Sequence, residues 1–115
     1  MSDPNLTSIR RTVTDALRES VNGYPRPTLS QLHRLPPKLR CHKAELIPIV
    51  DDLLRSMDTE DPRRRQIAVT LKRAQAKDGA RPTGNFAHDV DNMRRLARLV
   101  RSLLDTVEDT RKEQP

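Results

Sequence analysis

Aromatic residues and cysteines are scarce in this sequence. Its 115 residues include one tyrosine, one phenylalanine and no tryptophan, so a core must be built from aliphatic side chains. The same scarcity excludes a row of aromatic rings on which unpaired nucleic-acid bases could stack. Cys41 is the single cysteine, which excludes an internal disulfide and makes a reducing compartment the expectation.

Long apolar runs, glycine-rich loops and metal-ligand motifs are also missing. The longest apolar stretch, residues 46–50, is far shorter than the roughly 20 residues of a membrane span, and we see no signal-peptide pattern. The three glycines are scattered and form no phosphate-binding fingerprint. His33, Cys41 and His42 match no metal-ligand spacing. We therefore expect a cytoplasmic, non-enzymatic protein with no metal, cofactor, membrane partner or small-molecule substrate.

The clearest feature that is present is helical periodicity between Asn85 and Arg111. Apolar residues recur there at alternating steps of four and three, which predicts one long amphipathic helix of roughly 40 Å with Asn85 as its N-cap. The seam consists of Phe86, Val90, Met93, Ala97, Val100, Leu104 and Val107.

Start and stop signals divide the rest of the chain into further helices. We predict a helix from Pro4 to Val21, a short helical turn at residues 29–34 after a capping box, and helices at about 38–57 and 62–77. Pro48 lies inside one of them, where a kink and a break are both open.

These elements predict an all-α fold, a small bundle of four main helices plus one short helix with a long C-terminal helix. We expect a single helical domain over residues 1–115, with frayed tails at about 1–3 and 110–115.

The long helix has a wider apolar face than one packing seam needs, although the apolar content of the whole chain is only 34%. We expect this surplus face to contact a second protein chain, with a homodimer as the expected state. Its residues are Leu96, Leu99, Val100 and Leu103. The alternative, that the whole face is intramolecular core, stays open.

Positive charge is concentrated in two tracts. Residues 62–82 hold seven basic side chains and one acid, and residues 23–44 hold five basic side chains and no acid. The first turn of the predicted helix 62–77 contains Arg63, Arg64 and Arg65. Positive charge there is repelled by the helix dipole, which destabilises the helix by up to ~1 kcal/mol per residue. Neutralisation by nearby acids, contact with a phosphate backbone and contact with an acidic protein are the three interpretations.

A second basic stripe lies on the long helix, at Arg94, Arg95, Arg98 and Arg101. Half of this stripe has carboxylates at helical spacing, because Asp91 precedes Arg95 by four residues and Arg101 precedes Asp105 by four. We expect these pairs to form a solvated, salt-bridged face.

In size and helical format the chain is similar to small bacterial regulators that sequester a transcription factor, a likeness of format without a shared motif. Our leading hypothesis is a non-enzymatic regulatory protein that binds and masks a protein partner such as a transcription regulator. The alternative is nucleic-acid binding by tracts 23–44 and 62–82. Its contact residues would be Arg63, Arg64, Arg65, Lys72, Arg73 and Arg81.

Overall fold

The computed structural model describes residues 4–25, 27–76 and 82–113. The helices are α1 (Leu6–Leu17), α2 (Leu29–Ser56), α3 (Arg63–Gln75) and α4 (Phe86–Glu113). The predicted all-α fold is therefore confirmed, with four helices in the described ranges and no separate short one. Helix α4 includes residues 110–113, where fraying was expected, whereas 1–3 and 114–115 lie outside the described residues.

The first helix is shorter than the sequence pattern indicated. Helix α1 ends at Leu17, four residues before the predicted end, and Asn22 and Gly23 follow with φ angles of +52° and +81°. Two consecutive positive φ angles are typical of a tight β-hairpin turn. The flanking residues accordingly pair as a two-residue antiparallel ladder of β1 (Ser20–Val21) and β2 (Tyr24–Pro25). This hairpin connects α1 to α2.

Helix α2 is continuous where the sequence predicted a short turn, a connector and a second helix. It contains Pro36, Pro37 and Pro48, so the chain is not broken at any of them. An internal proline costs about 3 kcal/mol through a lost hydrogen bond and a steric clash. The helix persists because side chains all along it are buried in the core. These are Leu32, Leu35, Leu39, Leu46 and Val50.

The start of α2 is the capping box that the sequence predicted. The Thr28 Oγ1 atom accepts a hydrogen bond from the Gln31 backbone N–H at 3.2 Å, and Gln31 Oε1 accepts one from the Thr28 N–H at 2.9 Å. Two backbone donors are thereby satisfied reciprocally. The box fixes Leu29 as the first helical residue.

Helices α2 and α4 form the central pair of the bundle. They have the most extensive contact with each other, and each also contacts α1 and α3, which do not touch one another within the described ranges. Arg10 on α1 binds Asp105 and Glu108 on α4, with both N···O distances at 2.8 Å. The seam of α4 is therefore surrounded by three helices. No helix in the described part of the chain is long and apolar enough to cross a membrane.

Candidate functional site

The face of α4 that the sequence analysis assigned to a second chain lies inside the bundle. Val100 and Leu103 are 0% exposed, Leu96 is 7% exposed, and Leu99 is partly buried against the same core. The other three helices cover these side chains because α4 belongs to the central pair. The docking surface expected at these residues is therefore absent from the folded chain, and the intramolecular alternative describes them.

An open groove lies between the N-terminal halves of α2 and α4, and we call it the α2–α4 groove. It encloses about 290 Å³ and is lined mainly by apolar side chains. The lining residues are Leu29, Leu32, His33, Pro36, Pro37 and Arg40 from α2, and Pro82, Gly84, Phe86, Asp89, Asn92, Met93 and Leu96 from α4 and the segment before it.

Two of the groove residues are large apolar side chains that face solvent. Leu29 is 60% exposed and Phe86 is 49% exposed, and among the described residues the one other large exposed apolar side chain is Val69 on α3, at 46%. Leu29 and Phe86 are the first residues of their helices. Isolated apolar residues on a surface are ordinary, but two from different helices at one opening form a patch.

Hydrogen bonds hold the segment before α4 as one wall of the groove. Asp89 Oδ1 accepts hydrogen bonds from the Thr83 backbone N–H at 2.9 Å and from Thr83 Oγ1 at 2.8 Å. These bonds, the backbone bond first, lower the pKa of Asp89 below its ordinary value. Gly84 turns the chain with a φ of +83°. Asn85 Oδ1 accepts from the His88 N–H at 3.1 Å, which confirms the predicted N-cap.

The groove has one wall that comes from a basic stretch of the sequence. The half of α2 that lines it belongs to the tract 23–44, which has no acidic residue. Arg34 and Lys38 are exposed on that half, and Arg40 lines the groove. Asp89 is the single carboxylate among the lining residues, and it accepts hydrogen bonds from Thr83. Arg34 and Lys38 are not among the described residues that line the groove, which therefore combines an apolar floor with one lining arginine and one lining carboxylate.

Two of the three consecutive arginines at the start of α3 have structural roles. Arg63 binds Asp61 with an N···O distance of 2.9 Å, and this hydrogen bond lowers the pKa of the Asp61 carboxyl. Arg64 Nη1 donates to the carbonyl oxygens of Leu54 at 3.2 Å and Met57 at 3.1 Å, so it caps the end of α2. Neutralisation by an upstream acid therefore applies to Arg63, and Arg64 instead satisfies the carbonyl groups of a helix end.

Three of the predicted nucleic-acid contacts lie on the outer side of α3. Arg65, Lys72 and Arg73 are exposed, and no carboxylate in the described ranges forms an ion pair with them. The buried side of the same helix carries Ile67, Leu71 and Ala74. The sixth predicted contact, Arg81, lies outside the described residues.

The arginines of α4 do not form the intrahelical pairs that their spacing predicted. Arg95 and Arg101 are exposed, and in the described part of the chain neither forms an ion pair with Asp91 or Asp105. Asp105 instead binds Arg10 of α1. Helix spacing permits an ion pair, but a partner from another helix can displace it.

His42 and Cys41 have different surroundings in the folded chain. Within the described ranges no three His, Cys, Asp or Glu side chains group into a metal site. His42 Nε2 lies 3.2 Å from Thr12 Oγ1 and so joins α2 to α1. Cys41 is a free, exposed thiol.

The sequence did not indicate the groove, because Phe86 fitted the apolar seam of the long helix and Leu29 was identified as the start of a short helical turn. The available signal was position: each is the first residue of its helix, next to a cap. A side chain at that place has no preceding turn of its own helix to cover it.

Comparisons with known proteins place the chain in a family without assigning an activity. No curated protein and no solved structure matches it. A model of a family of unknown function, DUF6415, matches residues 7–112, and the chain therefore belongs to that family.

Proposed function

We propose that this protein is a non-enzymatic regulatory interaction protein that binds and masks a segment of a protein partner in the α2–α4 groove. The observation that supports the proposal is the exposure of Leu29 and Phe86, at 60% and 49%, on either side of one apolar opening. A partner that covers these side chains removes apolar surface from water, which stabilises the complex by about 25 cal/mol per Å² of apolar surface buried.

The occupant we propose is an acidic amphipathic helix of the partner. The volume of about 290 Å³ lies at the small end of ligand pockets and suits a few apolar side chains of a peptide. An amphipathic helix inserts such side chains into a groove at helical spacing. Arg40 lines the groove within a tract that has no acidic residue, so a carboxylate beside those apolar side chains would meet positive charge on α2.

The partner class we propose is a transcription regulator, by analogy of size and helical format with small proteins that sequester such factors. Masking follows from the geometry, since a helix in the groove has its apolar face covered. A homodimer through the groove is not part of the proposal, because a second copy would bring a net charge of +6 and the same basic tract 23–44.

A substitution pair tests the groove directly. The double variant Leu29→Asp/Phe86→Asp places two charges at the opening, and the single variant Val69→Asp makes the same kind of change on α3. All three sites are at least 46% exposed, so both variants should fold, as circular dichroism can check. In affinity purification from the native host with quantitative mass spectrometry, we expect the partner to be retained by wild type and Val69→Asp and lost from the double variant.

Photo-crosslinking identifies the segment that is bound. A photoreactive phenylalanine analogue replaces Phe86 in one sample and Val69 in a control sample. We expect partner crosslinks at position 86 alone, and on an acidic amphipathic segment. Equal capture by wild type and the folded double variant would contradict the groove proposal. Crosslinks from position 86 to a second copy of this chain, or to a basic segment, would contradict the proposed occupant.

A further inference from the structure

The outer side of α3 carries positive charge without any acidic neighbour in its own helix. Its 13 residues include five basic side chains and no carboxylate, whereas the other three helices contain acids. Arg63 and Arg64 are engaged with Asp61 and with the end of α2. The remaining three, Arg65, Lys72 and Arg73, define what we call the α3 cationic face.

These three side chains share one side of the helix. Relative to Arg65, Lys72 points about 20° to one side and Arg73 about 80° to the other, so the three side chains lie within an arc of about 100° of the helix surface. The opposite side packs on α2 and α4. The face extends over about 12 Å of helix axis, a length along which duplex DNA carries roughly seven phosphate charges.

We propose that the α3 cationic face binds the phosphate backbone of duplex DNA without reading its sequence. Contacts to phosphate need cations at suitable spacing and little apolar surface. Val69 is the one large apolar side chain exposed on the described part of α3, so the face lacks the apolar cluster on which a tight protein interface depends. The two aromatic residues of the chain, Tyr24 and Phe86, lie outside α3, which disfavours stacking on single strands.

The face is separate from the α2–α4 groove. No residue of α3 lines the groove. Binding of DNA on α3 therefore goes beyond the proposed masking of a protein partner, and either activity can fail in an experiment without the other.

Two triple variants with equal changes in charge test this inference. One removes the α3 cationic face, Arg65→Ala/Lys72→Ala/Arg73→Ala. The other removes three exposed arginines of α4, Arg95→Ala/Arg98→Ala/Arg101→Ala. Each lowers the net charge by three, so a difference between them reports position and not total charge.

The measurement is fluorescence anisotropy of a labelled DNA duplex at several salt concentrations between about 50 and 200 mM. For wild type we expect binding that weakens steeply with salt. Loss of the α3 cationic face should lower affinity at least about tenfold and reduce the slope of log K against log salt by about 2.7, because each phosphate contact contributes about 0.9. The α4 variant should change the slope by less than about 1.

Three results would overturn the inference. The first is no binding by wild type at the lowest salt concentration. The second is an equal loss of slope in both triple variants after circular dichroism has shown both to be folded. The third is competition by unlabelled single-stranded DNA as strong as that by the duplex, since the inference names the duplex backbone.

Discussion

The α2–α4 groove and the α3 cationic face expose side chains of opposite kinds for the same structural reason. Because α2 and α4 pack on each other and are flanked by α1 and α3, the apolar seam of α4 is enclosed from Val90 to Val107. Apolar side chains reach solvent at the first residues of α2 and α4, and cations that form no ion pair with any described carboxylate remain on the side of α3 that faces away from the bundle. Both surfaces thus depend on one shared interior, yet neither uses residues of the other.

The largest expected effect is a difference in stability between a substitution in the buried interior and one at the groove. Leu103→Asp places a charge at a position with 0% exposure, which should cost more than about 4 kcal/mol and unfold the chain, so that both surfaces are lost. Leu29→Asp, at a 60% exposed position, should leave the free energy of unfolding within about 1 kcal/mol of wild type. Urea denaturation followed by circular dichroism measures both. A folded Leu103→Asp variant would restore α4 as a candidate interface.

The next largest effect is a difference between alanine substitutions at two adjacent arginines of α3. Arg64→Ala removes donors from the carbonyl groups of Leu54 and Met57 and should lower the free energy of unfolding by about 1.5–3 kcal/mol. It should leave the salt slope of DNA binding unchanged. Arg65→Ala should do the reverse, with a stability change within about 0.5 kcal/mol and a slope reduced by about 0.9. Equal changes in stability and in salt slope for the two variants would contradict a structural role for Arg64 and a DNA-binding role for Arg65.

A smaller effect concerns the α2 wall of the groove. Thr28→Ala removes the capping acceptor for the Gln31 N–H and should lower the free energy of unfolding by about 1 kcal/mol, whereas Thr28→Ser retains the oxygen and most of the stability. Since Leu29 follows the cap, partner capture should weaken in Thr28→Ala while DNA binding stays unchanged. The check is urea denaturation together with both binding assays. An equal cost for alanine and serine would exclude the cap as the cause.

The smallest expected effect is a pH dependence of the hydrogen bonds between Asp89 and Thr83, in the wall of the groove that precedes α4. The pKa of Asp89 is lowered by its hydrogen bonds with Thr83, so these bonds are complete above the ordinary aspartate pKa of about 3.9 and are lost as pH falls through the lowered pKa. The NMR amide resonance of Thr83 should therefore stay constant from neutral pH to about 4 and move only below it. In Asp89→Asn it should be displaced at neutral pH already. Movement of the wild-type resonance well above the ordinary pKa would contradict the assigned bond.

Local signals in the sequence were accurate where the structure is local. The Thr28 and Asn85 caps occur where their residue patterns indicated, and the 3.6-residue period identified the helices. The errors came from signals that compete with distant contacts. The gap left between the short turn at 29–34 and the helix at about 38–57 is helical, because core burial overrides Pro36 and Pro37. Helix α1 ends before Asn22 and Gly23, which form a hairpin turn.

The candidate surfaces were predicted less well than the helices. For the arginine-rich stretch after Pro62, neutralisation by nearby acids was one of three interpretations, and it applies to Arg63, which binds Asp61. The sequence did not indicate that Arg64 caps α2. The groove was not predicted. Its lining comes from residues 29–40 and 82–96, which are far apart in the chain, and no short motif encodes such a meeting.

Amino-acid order alone determined that this chain is helical, aliphatic in its core and unevenly charged, because periodicity, capping and charge are properties of residues close together in sequence. The tertiary structure alone decided which apolar face is covered and which cations form ion pairs within the described residues. Exposure and ion pairing are set by whichever helix packs alongside. Because α4 packs against α2 at the centre of the bundle, its widest apolar face is buried. The exposed side chains that could bind a partner therefore lie at the first residues of α2 and α4 and on the outer side of α3.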